Sequence, residues 1–283
     1  MALAFTELMF MQDEAQLYVV TAYGANGDLA QYMANAGRTL TAPQAARYVI
    51  RPLLSTLAAM HAQQLIHRDI KPENCLMAAD NTILLADFDL AIDAKVDTPC
   101  HQVCSCIRVL QMSAALRRSG TYAALGMPCR SFSAKAQPQA VCNASWSSVK
   151  WLHKSMRLML DKPAPVGCLQ VGTPDFVAPE VLTCRPPPSS AAASASTHRG
   201  YTVSCDVWAV GVLAWELLAG KAPFHAATTE DIKENVRAGK CAAMPADWSA
   251  APREFVIACM ARNPQQRPSA EALLEHAWLR APP

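Results

Sequence analysis

His67-Arg68-Asp69-Ile70-Lys71-Pro72-Glu73-Asn74, followed at a distance by Asp87-Phe88-Asp89, is the stretch on which the reading of this chain turns. Between the two strings lie strand-like runs, Cys75–Met77 and Thr82–Ala86. Ala79-Asp80-Asn81 joins them, and Asp and Asn suit a turn. Paired as an antiparallel hairpin, these runs bring their open ends together, with Asn74 before one strand and Asp87 after the other. An amide oxygen and a carboxylate then converge on one point, a site for a hard cation such as magnesium. Asp69 stands five residues before Asn74, and Lys71 two after Asp69. One end of one hairpin thus collects an anionic base, a cation and two oxygen ligands. Phosphoryl transfer needs that set: an acceptor for a hydroxyl proton and positive charge on the moving phosphate.

The flanking sequence has regular patterns. Leu17–Thr21 is β-rich and ends at the turn-forming Gly24-Ala25-Asn26-Gly27. Thr41 with Gln44 makes a capping box that opens a helix, and Pro43 is tolerated in its first turn. Ala46, Val49, Ile50, Leu53, Leu54, Leu57 and Met60 fall on one face of it. Thr228 with Asp231 opens a second helix over about residues 229–238. Trp208 and Trp215 lie on an apolar run and read as core.

The chain has 283 residues, 52% of them hydrophobic and 17% charged, which excludes a wholly disordered chain. A formal charge of +2 gives no case for nucleic acid or a membrane surface as partner. The apolar run Val207–Leu218 is interrupted by Glu216 and falls short of the ~20 residues that span a bilayer. The first residues, MALAFTELMFMQDEA, contain no Lys or Arg and do not read as an export or transit signal. The eleven cysteines are therefore expected reduced, in a cytoplasmic protein, with the nucleus left open. Residues 92–170 are irregular and basic, with ten Lys or Arg against three acids, and are expected to be a disordered insertion. Within them Arg117-Arg118-Ser119 is a candidate phosphorylation site. Cys100, His101, Cys104 and Cys106 match no common zinc spacing and read as free thiols. Residues 184–200 form a Pro-, Ser- and Ala-rich loop.

HRDIKPEN closely resembles the catalytic loop of eukaryotic protein kinases, and Asp87-Phe88-Asp89 resembles their metal-binding DFG with Asp in place of Gly. Val171–Leu182, VGTPDFVAPEVL, is similar to the end of the activation segment. Tyr201–Phe224 resembles the buried central helix of the kinase C-lobe, and Arg262–Pro268 with His276–Trp278 resembles its closing motifs. The order matches the family throughout. The resemblance implies an α+β, protein-kinase-like fold: a mostly helical C-lobe with a remnant of a β-rich N-lobe. It divides the chain into an N-lobe remnant over 1–22 (the fourth and fifth strands), the hinge and first part of the C-lobe over 23–91, the insertion over 92–170 and the rest over 171–279.

The resemblance also implies roles. Asp69 is the catalytic base, Lys71 neutralises the transferred phosphate as in Ser/Thr kinases, and Thr173 contacts the catalytic loop. Asn74 and Asp87 hold Mg. Thr21 is the gatekeeper, the backbones of Ala22 and Gly24 meet the adenine of ATP, Asp28 and Glu73 lie near the ribose, and Leu76 lies under the ring. Glu180 pairs with Arg267, and Asp206 holds the catalytic loop's backbone. The implied activity is transfer of the ATP γ-phosphate to Ser or Thr of protein substrates. Some parts of the pattern are missing. There is no GxGxxG before Leu17, and Lys71 is the first lysine, so a third-strand lysine and its αC glutamate partner are absent. Both halves of that pair serve activity in the family, so weak ATP binding and poor turnover are expected, and a protein-binding pseudokinase scaffold is the alternative. Asp89 and the long gap to Glu180 resemble plant AGC-type kinases. HRDIKPEN and CDVWAVGV are more similar to calcium-regulated and other Ser/Thr groups, which leaves the subfamily open.

Overall fold

Thr41 begins the first long helix as its sequence requires. Its Oγ1 accepts from Gln44 N at 3.4 Å, and Gln44 Oε1 accepts from Thr41 N at 3.0 Å. The computed structural model describes residues 9–12, 17–22, 24–88, 90–93, 107–112, 172–183 and 202–280. Asp89, the Cys100–Cys106 group, Ser119 and the 184–200 loop lie outside these residues. The helix runs through α2 (Ala42–Gln44), a π-helical turn at Ala45–Ile50, and α3 (Arg51–His61). The seven apolar positions of its face are all buried. The sequence pattern predicts an uninterrupted α-helix. Pro52 explains the wider turn before α3, because its ring lacks an N–H and collides with the carbonyl four residues back.

The chain divides into two units, Met1–Ala25 with Val103–Pro163, and Asn26–Gln102 with Ala164–Pro283. The first holds a three-stranded sheet ordered β1-β2-β7. Strand β1 (Met9–Gln12) is antiparallel to β2 (Leu17–Ala22), and β7 (Ile107–Met112) is parallel to β2 on its other edge. Strand β7 falls inside the block expected to be an irregular insertion. There the pattern Ile-Arg-Val-Leu-Gln-Met has β-branched and apolar residues that suit a strand.

The second unit is mostly helical. After α1 (Leu29–Asn35), α2 and α3 come β3 (Leu65–Ile66), the hairpin of β4 (Cys75–Met77) and β5 (Ile83–Leu85), and β6 (Ile92–Asp93), which pairs with β3. Next are α4 (Pro179–Thr183), α5 (Ser204–Ala219), α6 (Thr229–Ala238), α7 (Ala250–Cys259), α8 (Ala270–Leu274) and α9 (Ala277–Arg280). Helix α5 is apolar on nearly every side, the mark of a buried central element. Trp208 and Trp215 are in the core, Trp208 stacked on Phe224 at 5.7 Å. Helices α5 and α7 pack together, as do α3 and α8. Among the described residues no helix is long and apolar enough to cross a membrane.

The α5–α7 contact depends on Gly211. A Cβ there would lie 2.6 Å from Cys259 Cβ and 2.8 Å from Met260 Cγ. In an open helix, Gly to Ala gains up to ~1 kcal/mol. Here Gly211→Ala should fail to stabilise, and Gly211→Val should cost about 1–3 kcal/mol by forcing the helices apart. Urea unfolding of the two variants measures this.

Candidate active site

The hairpin closes as its turn residues demand. Asp80 Oδ1 accepts from Thr82 N at 2.9 Å, and Ala78 N donates to Thr82 O at 2.9 Å. Cys75, Met77, Ile83 and Leu85 point into the core, and Leu76 and Leu84 between them are only half-buried. At the open end Ala86 N donates to Asn74 O at 2.9 Å, so the two residues that flank the strands meet.

The loop before the hairpin has no strand partner of its own. Arg68 is left-handed, with φ 71°, so a side chain must take up the adjacent amides. Asp206, in the first turn of α5, does this. It accepts from His67 N and Arg68 N at 2.9 Å each, and its Oδ2 lies 2.9 Å from His61 Nε2. Burial pushes this carboxyl up, but the His61 hydrogen bond, the charges of His61 and His67 and the backbone amide outweigh it and hold Asp206 below the usual range. His67 Nε2 lies 3.1 Å from Ala86 O, and its ring meets Phe88 edge-on at 4.7 Å. Burial lowers the pKa of His67, against the opposing charges of Asp206, Asp69 and Asp87.

Asp69 is 7% exposed and fully engaged. Oδ2 lies 2.9 Å from Lys71 Nζ and accepts from Asn74 Nδ2 at 2.9 Å. Oδ1 accepts from Thr173 N and Thr173 Oγ1 at 3.2 Å each, and Lys71 Nζ donates to Thr173 Oγ1 at 3.0 Å. Burial alone would raise this carboxyl, but Lys71, Asn74 and Thr173 together hold it below its ordinary value. Gly172 permits the approach of Thr173. Its φ is 107°, and a Cβ would sit 2.9 Å from Arg68 O.

Asn74 Nδ2 also donates to Asp69 O at 2.8 Å, so Oδ1 is the acceptor left for a ligand. Asp87 is exposed and left-handed, with φ 60°. Among the described residues no group of three or more His, Cys, Asp or Glu could hold a metal. An amide oxygen and one exposed carboxylate nevertheless fit magnesium, which keeps several waters and takes substrate phosphates as further ligands.

The proposed nucleotide contacts fall in both units. Thr21 and Ala22 end β2, and Gly24 is buried in the following turn. In the second unit Asp28 bridges to Leu76, while its Oδ1 caps α1 by accepting from Gln31 N at 2.8 Å. Glu73 is exposed. Sequence reading missed Asn26, whose Nδ2 donates to Ala78 O at 3.0 Å and Asn81 Oδ1 at 3.1 Å and so fastens the turn to the hairpin. It also missed His61. The only local signal was a histidine at the end of the helix preceding the loop.

Glu180 and Arg267 form a two-toothed pair at 2.7 and 2.8 Å, and the guanidinium lies over Trp208 at 5.0 Å. Two residues beyond Thr173, Asp175 Oδ1 is buried without a hydrogen-bond partner, as is Glu216 Oε2 on α5. Burial, then the charges of Glu73 and Asp175, pushes the Glu216 carboxyl up to about 7.

The protein kinase domain family matches residues 6–108 and 162–279. The serine/threonine-protein kinase sck1 of Schizosaccharomyces pombe is 26% identical over 94% of this chain, and Warts of Drosophila melanogaster 28% over 80%. Human LATS1 is 30% identical over 77% of the chain. These alignments span 27%, 17% and 16% of the relatives' own lengths.

Because Glu216 is raised from 4.5 to about 7, its folded form holds a proton that the unfolded chain has lost near neutral pH. The associated stability is present at low pH and lost as pH rises through about 7. Relative to the wild type, Glu216→Gln should be more stable by about 1–3 kcal/mol at pH 8, with the gap closing toward pH 5. Melting curves across that range test the sign.

Proposed function

The chain belongs to the protein kinase domain family, and on that premise we propose that it is a protein serine/threonine kinase, moving the γ-phosphate of ATP to serine or threonine hydroxyls of proteins. The observation that carries the reading is the Asp69 carboxylate, buried yet kept ionised by Lys71, Asn74 and Thr173. A base with a depressed pKa is a weak proton acceptor at rest. It is nonetheless always in the right charge state, and it is oriented from both oxygens.

In this scheme Asp69 accepts the hydroxyl proton as the substrate oxygen attacks phosphorus. Lys71, 2.9 Å away, offers positive charge to the phosphate as negative charge spreads over its oxygens. Thr173 orients both groups through its hydroxyl. Asn74 Oδ1 and the Asp87 carboxylate would hold magnesium, which when bound neutralises charge on the nucleotide phosphates. For the nucleotide, the backbones of Ala22 and Gly24 would meet adenine beside Thr21. Asp28 and Glu73 would serve the ribose, and Leu76 the ring. Asp175 Oδ1 and Glu216 Oε2, without partners among the described residues, and the charge of Asp175 acting on Glu216 make this side acidic, which favours acceptor proteins with a basic side chain close to the hydroxyl.

Phosphate incorporation from Mg-ATP into serine peptides tests this. Asp69→Asn should lower the rate by about a hundredfold or more. A peptide with arginine beside the serine should be preferred over its alanine counterpart, and Glu216→Gln should shrink that preference. Equal incorporation by the wild type and Asp69→Asn would sink the proposal.

A further inference from the structure

Strand β2 reads Leu-Tyr-Val-Val-Thr-Ala, and β1 covers only one of its edges. Left open, the other edge would present a row of unpaired backbone groups on an apolar strand, a template for aggregation. That edge is taken by β7, which is in register from Leu17 opposite Ile107 to Ala22 opposite Met112. The covering strand is not a sequence neighbour. It comes from the basic block, later in the chain than the catalytic hairpin, and lies in the same unit as β2. We propose that Ile107–Met112 is an intrachain strand donor, and that its pairing controls the order of β2 and of the Ala22–Gly24 backbone into which β2 runs.

The physics favours a displaceable strand. The pairing is parallel, so it is slightly weaker per residue than an antiparallel one. It is also only six residues long, so few ladder hydrogen bonds hold it. Strand addition takes its affinity from main-chain hydrogen bonds, so two adjacent prolines in the donor must remove at least one of them. Any chemistry that pulls Ile107–Met112 away acts on β2 through this pairing.

Amide hydrogen exchange on the full chain tests the inference. In the wild type, the amides of 17–22 should exchange at least about tenfold more slowly than unstructured peptide, and some of 107–112 should share that protection. In Val109→Pro/Leu110→Pro the protection of 17–22 should be lost, while the hairpin at 75–77 and 83–85 keeps its own. Free exchange of 107–112 in the wild type overturns the proposal without any variant, as does unchanged protection of 17–22 in the double variant. The nucleotide consequence rests on the kinase reading. If that reading holds, a fluorescent ATP analogue should bind the double variant at least several-fold more weakly. Loss of β2 protection with unchanged nucleotide affinity leaves the strand donor standing and removes Ala22 and Gly24 from the nucleotide site.

Discussion

The carboxylate of Asp206 is 1% exposed and accepts from two consecutive backbone amides and a histidine ring. A buried charge costs several kcal/mol unless its hydrogen bonds are filled. Here both oxygens are occupied, and the direction of the shift shows the charge to be favoured. The loop needs this acceptor because Arg68 turns left-handed and cannot hand its amides to a strand. Asp206 stands on α5, the most deeply buried helix, so the loop's position is set by the core itself. His67 extends the same logic on the other side, linking the loop to Ala86 and Phe88 on either side of Asp87.

Two carboxylates, Asp69 and Glu216, show how surroundings assign roles. Asp69 is buried, but a lysine, an amide and a hydroxyl surround it, and it stays ionised. Glu216 is half-buried near other acids, with its Oε2 buried and without a partner among the described residues, and its carboxyl is raised. The residue types are nearly the same. The supply of donors differs, and that decides which group can work as an anion at neutral pH.

Around the loop, the frame is held by contacts of a different kind. Arg267 joins Glu180, Ser204 O and Ala261 O, and lies on Trp208, so the segment after Thr173 is tied to α5 and to the chain before α8. The tie spans half-buried and fully buried ground, where a planar guanidinium serves better than an ammonium. Gly211 lets α5 and α7 touch, which closes the core under the site.

Local features were legible in the residues: the capping box at Thr41, the N-cap at Thr228, and the hairpin around Asp80-Asn81. Each acts over a few residues, through turn chemistry and periodicity that a linear string displays. Thr173 on Asp69, Asp206 on the loop and Glu180 on Arg267 were foreseen through resemblance of motifs, because no spacing rule reaches across 104 or 139 positions. Tertiary structure alone decided the π turn before Pro52, the raised carboxyl of Glu216, the buried Oδ1 of Asp175 and the pairing of Ile107–Met112 with β2. These depend on which surfaces are excluded from water and which backbone edges are left open, and neither exists until the chain has packed.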